Sequence, residues 1–220
     1  MVFILAIAAP LASISGTINV IFRVPDLFSY EFDNMEVSRT MELGIGNSEL
    51  SNFFSKFMLH SLDKFSLSAE YQGIKREFFN QTEASLMDNF RILLDVLLVV
   101  AIFSLIIMVL IIIIMKYNIM PKTLRRSLNI GLVFYFLIMG AMIIFFNVSD
   151  GDAALVHRLM DGKFAVDDLL YQMFGGDFTL NATVAVSVIS FIVMLVIRYI
   201  VWKMTSHRGV FSESLKGVGA

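Results

Sequence analysis

Residues 92–115 read ILLDVLLVVAIFSLIIMVLIIIIM, a run in which Asp95 is the only charged side chain. A helix of about 20 such residues, rising about 1.5 Å per residue, crosses a hydrocarbon core of about 30 Å. A buried helix of a small soluble domain has no need of an apolar run this long. The stretch therefore predicts a transmembrane helix, and it decides the class of fold.

The composition of the whole chain agrees with this assignment. Of the 220 residues, 57% are hydrophobic and 16% are charged, and the mean hydropathy is +0.77. Soluble domains are about 45–50% apolar and about 25% charged. Three further apolar stretches, at 1–22, 128–146 and 182–202, are long enough to span a bilayer. A cleaved signal peptide is the alternative for the first, although no Lys or Arg precedes it. We predict an all-α membrane protein with four transmembrane helices.

The charges between the spans predict the orientation. Segment 116–127 carries four basic residues and no acidic one, and the tail 203–220 carries three basic residues and one acidic one. Segment 23–91 has 7 basic and 11 acidic residues, and 147–181 has 2 basic and 6 acidic ones. Short loops rich in Lys and Arg face the cytoplasm. We therefore expect both termini inside and the two acidic segments outside.

The two outer segments carry helical patterns of their own. Phe, Leu and Met recur at helical spacing within 48–62, which predicts an amphipathic helix. The sequence NQTE at 80–83 is a variant of the capping box and predicts a helix that begins there and continues to residue 115. Two shorter helices are expected at 152–161 and 167–174, each followed by glycine. Together these segments predict a helical cap on the outer side of the membrane.

The same composition excludes several functions. The chain has no Cys, three scattered His and a net charge of −2. We therefore expect no metal site, no cofactor and no nucleic-acid partner. His60, at the edge of the 48–62 helix, is predicted to be an ordinary surface histidine.

Two residues have the chemistry of a functional site. His157 is the only histidine in the second outer segment, and Asp161, one turn further along the predicted helix, is placed to orient its ring. Asp95 is a carboxylate about one turn inside the second span, where ionisable groups are costly and often functional. For both residues a structural role is the alternative.

Three short segments carry a resemblance to a known family. They are RVPDLFSYEF at 23–32, EASLMDNF at 83–90 and LVHRLM at 155–160. With four spans, a long first outer segment and a shorter second one, the chain resembles the bacterial integral membrane proteins that include the lipoprotein intramolecular transacylase. The resemblance covers nearly the whole chain and implies residence in the bacterial cytoplasmic membrane.

The resemblance implies acyl transfer from the glyceryl lipid on a lipoprotein's N-terminal cysteine to the amino group of that cysteine. It also implies two histidines at the outer membrane face, one of which matches His157. The other lies in a motif resembling Glu-x-x-His-Met-x-Asp-Val, where this chain has Glu83, Leu86 and Asn89. Leucine cannot accept a proton. A two-histidine mechanism therefore cannot operate here as the resemblance implies.

The candidate site residues follow from these observations. His157 and Glu83 are the catalytic candidates, Glu83 on the condition that burial raises the pKa of its carboxyl. The candidate substrate-binding residues are Leu86, Asn89, Arg91 and Asp95.

We predict a lipid-facing membrane protein that resembles the transacylase and has a membrane lipid or lipoprotein as its partner. The alternative is a non-catalytic membrane module that binds a lipid, a lipoprotein or another membrane protein, and Leu86 favours this alternative. A transporter is the third hypothesis, for which the chain shows no inverted repeat.

Overall fold

The computed structural model describes residues 1–37, 44–71, 74–117, 120–147, 168–174 and 178–206. Its elements in chain order are α1 (Val2–Arg23), α2 (Pro25–Asn34), α3 (Asn47–Met58), β1 (Ser68–Tyr71), β2 (Ile74–Glu77), α4 (Gln81–Tyr117), α5 (Pro121–Asn147), α6 (Leu169–Met173) and α7 (Phe178–Ser206).

Helices α1, α4, α5 and α7 are long and apolar enough to cross a membrane. The predicted fold class, an all-α membrane protein with four transmembrane helices, is confirmed. Helix α4 begins at Gln81 and ends at Tyr117. The apolar run 92–115 is therefore preceded by about three turns of the same helix. This long, continuous helix is the one that the capping box and the apolar run predict together.

Helix α1 is the central packing element. It packs against α4, α5 and α7. Of the 18 most apolar consecutive residues in α1, 61% are buried, against 22–28% in the other three long helices. Its buried polar residues are Ser13, Ser15, Thr17 and Asn19. The Asn19 amide donates a hydrogen bond to the Leu94 carbonyl of α4 at 2.8 Å. Lipid tails offer polar groups no partner, so a helix with this composition is most stable inside the bundle.

Helix α5 approaches α1 closely at Gly131. A Cβ built on Gly131 would lie 3.1 Å from the carbonyl oxygen of Ala6. On the other side, α5 is joined to α7 by Tyr135, whose hydroxyl donates to the Ser187 carbonyl at 2.7 Å and lies 2.9 Å from the Ser190 hydroxyl. Small residues and interhelical hydrogen bonds of this kind hold membrane helices together.

The cap consists of α2, α3, the β1–β2 hairpin and α6, and it lies over the end of the bundle where α1 ends and α4 begins. Its core is a connected cluster of phenylalanine rings whose neighbouring centroids lie 4.5–6.5 Å apart. The members are Phe22, Phe28, Phe32, Phe53, Phe54, Phe57, Phe65, Phe79, Phe90, Phe174 and Phe178. The amphipathic pattern of the outer segments is explained by this shared core.

The cap is held to the bundle by polar contacts as well. The Ser55 hydroxyl of α3 donates to the Arg23 carbonyl at the end of α1, at 2.5 Å. The Asn181 amide of α7 donates to the Glu31 carboxylate of α2 at 3.3 Å. A carbonyl at a helix end has no partner within its helix, so the Ser55 contact satisfies one such group while it positions α3.

Several predicted boundaries differ from the structure. The amphipathic helix predicted at 48–62 ends at Met58, and the basic segment 116–127 is mostly helix because α5 begins at Pro121. The antiparallel hairpin, with Ser68 opposite Glu77 and Tyr71 opposite Ile74, was not predicted. Of the two helices expected in the second outer segment, 152–161 lies outside the described residues and the other is observed as the shorter α6.

Because α5 approaches α1 closely at Gly131, we predict that a larger side chain there destabilises the protein. Gly131→Leu will force α5 away from the backbone of α1 and lower the free energy of unfolding by about 1–3 kcal/mol, the usual range for overpacking. Gly140→Leu on the same helix is the matched control, because a Cβ at Gly140 has no heavy atom within 4 Å. Thermal melting in detergent micelles measures both variants. Equal melting temperatures would contradict the assigned α1–α5 contact.

Candidate functional site

Glu83 is a structural residue at the start of α4. Its Oε2 accepts the backbone N–H of Asn80 at 2.8 Å, and the Asn80 Oδ1 accepts the N–H of Glu83 at 2.8 Å. This is the reciprocal pair of a capping box, as the NQTE pattern predicts. The Oε1 of Glu83 accepts the N–H of Leu170 in α6, also at 2.8 Å. One carboxyl group thus caps the start of α4 and holds α6 against it.

The environment of Glu83 matters for its proposed role as a base. Glu83 precedes the apolar run and is 1% exposed. Burial raises the pKa of its carboxyl, while the N–H groups of Leu170 and Asn80 act in the opposite direction. The raised pKa is what catalysis by this residue requires. Both oxygens, however, are directed at backbone N–H groups, and the side chain is closed to a substrate.

The neighbouring residues of the predicted motif do not form a site with Glu83. Leu86 is 7% exposed and belongs to the hydrophobic core, whereas Asn89 is exposed. The two side chains therefore face different environments on α4.

Arg91 fastens α4 to the cap. Its guanidinium lies 4.2 Å from the centroid of the Phe57 ring. It donates to the Leu62 carbonyl at 3.1 Å and to the Asp88 carboxylate at 3.0 Å. A cation over an aromatic ring is stabilised by the ring's quadrupole. These contacts assign Arg91 to the packing of α3 on α4.

Asp95 lies in a cluster with Arg23 and His60, which we call the His–Asp–Arg cluster. Arg23, the last residue of α1, donates from Nη2 to Asp95 Oδ1 at 2.6 Å. The Nε2 of His60 lies 3.0 Å and 3.2 Å from the two oxygens of Asp95. Three elements that are distant in the sequence therefore converge here. Asp95, predicted as a substrate-binding candidate, is part of a preformed polar site.

His60 is exposed, as predicted for a surface histidine, and its ring also contacts Asp95. It follows the end of α3, where the N–H of Ser61 bonds the carbonyl of Lys56 and its own N–H bonds that of Phe57. This is the Schellman pattern, in which the position of His60 is usually glycine. His60 has φ 59°, and a non-glycine residue in this region costs about 1–3 kcal/mol.

His157, the first catalytic candidate, lies outside the described residues, as does Asp161. Its placement relative to the other candidates stays a prediction.

An apolar cavity of about 710 Å³ lies between the four long helices. Its lining comes from all four, and includes Ile14 and Phe22 of α1, Leu94 of α4, Met142 of α5 and Ala182 of α7. The few polar side chains in the lining are Ser15, Thr179 and Thr183. A volume in the range of about 300–1,000 Å³ is typical of pockets for small molecules. Phe22 and Leu94 are also the chain neighbours of Arg23 and Asp95, but the three residues of the His–Asp–Arg cluster are not part of the lining.

The long helices and the cap define the chain as a four-span helical membrane protein with a folded cap. Two solved structures of the membrane integral lipoprotein intramolecular transacylase Lit from Bacillus cereus have a similar fold. One, a variant with a histidine replaced by arginine, has a TM-score of 0.69 and 14% identity, and covers 96% of this chain and 92% of its own. In the other the same histidine is alanine, and the TM-score is 0.65, the identity 14% and the coverage 97% and 94%.

The resemblance predicted from the sequence is therefore confirmed at the level of the fold. No family model matches the chain, and no curated protein matches it.

Because Glu83 caps α4 and binds α6, we predict that its removal lowers the stability of the protein. Glu83→Ala will leave the buried N–H of Leu170 and the N–H of Asn80 without their acceptor, and will lower the free energy of unfolding by about 1–3 kcal/mol. Thr82→Ala is the control, since Thr82 is exposed in the same turn. Chemical or thermal unfolding in detergent compares the two variants. A Glu83→Ala protein as stable as the control would show that the cap is not held through this carboxyl.

Proposed function

We propose that this protein binds an acyl chain of a membrane lipid or lipoprotein in the apolar cavity between its four long helices. The observation that carries the proposal is the cavity itself. Its lining is almost wholly hydrocarbon, so an apolar chain gains free energy by entering it, at about 0.8 kcal/mol per buried CH₂ group. A polar or charged small molecule would lose its hydration there without compensation.

Thr179 supports a lipid ester as the ligand. Its side chain is 6% exposed, and its Oγ1 has no hydrogen-bond partner among the residues that the structure describes. Buried hydroxyl groups are rarely left unpaired. A carbonyl oxygen at the end of an acyl chain would accept the hydroxyl proton of Thr179. An ester-linked chain therefore fits both the apolar volume of the cavity and the unpaired hydroxyl of Thr179.

The likeness to Lit supports the same ligand class, because the name of that protein gives a lipoprotein as its substrate. Transfer of an acyl group to the lipoprotein amine is the finer form of the proposal. The segment 83–90 gives little support to acyl transfer, because Glu83 is a capping residue and Leu86 is in the core. Binding without chemistry, to a lipid, a lipoprotein or a membrane-protein partner, is the alternative supported by this segment.

The proposal also includes the orientation of the protein in the membrane. Lys122, Arg125 and Arg126 lie in the first turns of α5, and the Arg125 guanidinium is 5.9 Å from the ring of Trp202 near the end of α7. Basic and aromatic residues at one end of a bundle favour a cytoplasmic interface. The cap then faces outward, and both termini face the cytoplasm of a bacterial cell.

Filling the cavity tests the proposal. Ala141→Trp places an indole among the lining residues, and we expect the amount of lipid that co-purifies with the protein to fall about tenfold or more, since the ring takes up the volume of the chain. Native mass spectrometry of the protein in detergent measures the occupancy.

Val133→Trp is the matched control for this variant. Val133 is on the same helix, is 60% exposed and does not line the cavity, so its lipid occupancy should equal that of the unmodified protein. Full occupancy in Ala141→Trp, with unchanged melting temperatures in both variants, would show that the lipid does not bind in the cavity.

A further inference from the structure

The end of the bundle opposite the cap carries an arginine whose side chain is held in a fixed orientation. Arg125, in the second turn of α5, donates from Nε to Thr205 Oγ1 of α7 at 2.8 Å. Its guanidinium carbon lies 5.9 Å from the centroid of the Trp202 ring, within the range of a cation–π contact. The Thr205 hydroxyl in turn donates within α7, to the carbonyls of Val201 and Trp202 at 2.9 Å and 3.0 Å. The Arg125 guanidinium is therefore fixed against α7 through one nitrogen and one face.

The remaining donors of Arg125 have no acceptor in the fold. A guanidinium carries five N–H donors in a planar fork, and among the residues that the structure describes only the Nε–H of Arg125 is used. The described ion pairs lie at the cap end of the bundle, and none of them involves Arg125. A guanidinium fork matches two oxygens of a carboxylate or phosphate group. The two terminal nitrogens are thus oriented by the protein and available to an anion of this kind.

Three further cations lie near Arg125 without a carboxylate to balance them. Lys122 and Arg126 are exposed and lie within one turn of Arg125 on α5. Arg198 is exposed on α7 and precedes Trp202 by four residues, so the two share one face of that helix. Helices α5 and α7 contain no Asp or Glu. The described part of this end of the bundle is therefore strongly cationic.

Helix α5 also begins against the usual charge preference of a helix. The first turn of a helix carries a positive partial charge, which favours acidic residues and disfavours basic ones. The first turns of α5 hold three basic residues and no acidic one. An anion bound beside this helix start would relieve the repulsion among the cations and interact favourably with the helix dipole.

We infer that the phosphate group of an anionic phospholipid binds at this end of the bundle, in a site that we call the basic junction. Its residues are Lys122, Arg125 and Arg126 of α5 and Arg198, Trp202 and Thr205 of α7. The terminal nitrogens of Arg125 bind two phosphate oxygens, and the other three cations add electrostatic attraction. This site goes beyond the proposed function, because none of its residues lines the acyl-chain cavity.

The surroundings of the basic junction favour a lipid over a soluble anion. Tyr199, Ile200 and Trp202 are exposed on α7, a helix long and apolar enough to cross a membrane. The chains of a phospholipid cover such apolar surface, whereas inorganic phosphate leaves it bare. Basic pockets between transmembrane helices bind anionic headgroups in this way. Phosphatidylethanolamine is the weaker ligand, because the cations that attract its phosphate repel its ammonium group.

Neutralising Arg125 tests the site. The full chain in detergent is supplied with equal amounts of phosphatidylglycerol and phosphatidylethanolamine that have identical acyl chains, and native mass spectrometry measures how much of each is bound. We expect the unmodified protein to prefer phosphatidylglycerol. Arg125→Gln should lower that preference about tenfold or more, because charge-assisted hydrogen bonds to the phosphate are lost. Arg198→Gln should lower it without a change in melting temperature, since Arg198 has no polar contact among the described residues.

Lys203→Gln is the matched control, because it removes the same charge from the same end of α7. Lys203 lies two residues from Thr205 and is therefore about 200° away around the helix. Its substitution should leave the lipid preference unchanged. Equal losses in Arg125→Gln and Lys203→Gln would show that the attraction is diffuse and would overturn the site. Equal binding of the two lipids by the unmodified protein would also overturn it.

Two further measurements separate the basic junction from other sources of binding. Displacement of phosphatidylglycerol by excess inorganic phosphate would overturn a lipid as the ligand. The Ala141→Trp protein, whose cavity is filled, should keep the preference for phosphatidylglycerol. Loss of the preference in this variant would place the anionic lipid in the cavity and overturn the separate site. A retained preference supports the basic junction whether or not the cavity binds an acyl chain.

Discussion

The structure depends on the constraint that polar groups of a membrane helix need partners within the protein. Helix α1 carries four buried polar side chains, Ser13, Ser15, Thr17 and Asn19, which would lack partners on a lipid-facing surface. It is therefore the central helix, and the Asn19–Leu94 hydrogen bond sets its depth against α4. With α1 in the centre, α4 lies on one part of its surface and α5 and α7 on another. The cavity lies between these contacts, lined by all four helices.

The cap depends on the same helix. The end of α1 at Arg23 supplies a carbonyl that seats α3 and a guanidinium that holds Asp95. The phenylalanine cluster then covers the end of the bundle, and aromatic pairs contribute about 0.5–1.5 kcal/mol each beyond their buried area. The His–Asp–Arg cluster lies at the edge of this cap, where the side chains of His60 and Asp95 remain 50% and 40% exposed.

Much of the fold could be predicted because it follows from local patterns. The run 92–115 and the NQTE capping box determine where α4 begins and ends, and both act within a few residues. The hairpin was missed because 68–77 is largely polar and lacks the strict alternation that indicates a strand. The end of α3 was missed because the apolar periodicity continues to Leu62, whereas the helix ends at Met58. The contact of His60 with Asp95 spans 35 positions and depends on tertiary packing, which periodicity does not encode.

The two carboxylates of α4, Glu83 and Asp95, differ in a way that their spacing in the sequence does not reveal. Glu83 has a raised pKa and the position of a family motif, yet both its oxygens accept backbone N–H groups of neighbouring elements. Asp95 has an ion pair and a histidine, and its side chain remains 40% exposed. Each oxygen of Glu83 accepts a backbone N–H and the side chain is closed off, whereas Asp95 stays partly open beside an exposed histidine. The hydrogen-bond partners therefore distinguish a carboxylate that is buried in the fold from one that remains accessible at the junction of α1, α3 and α4.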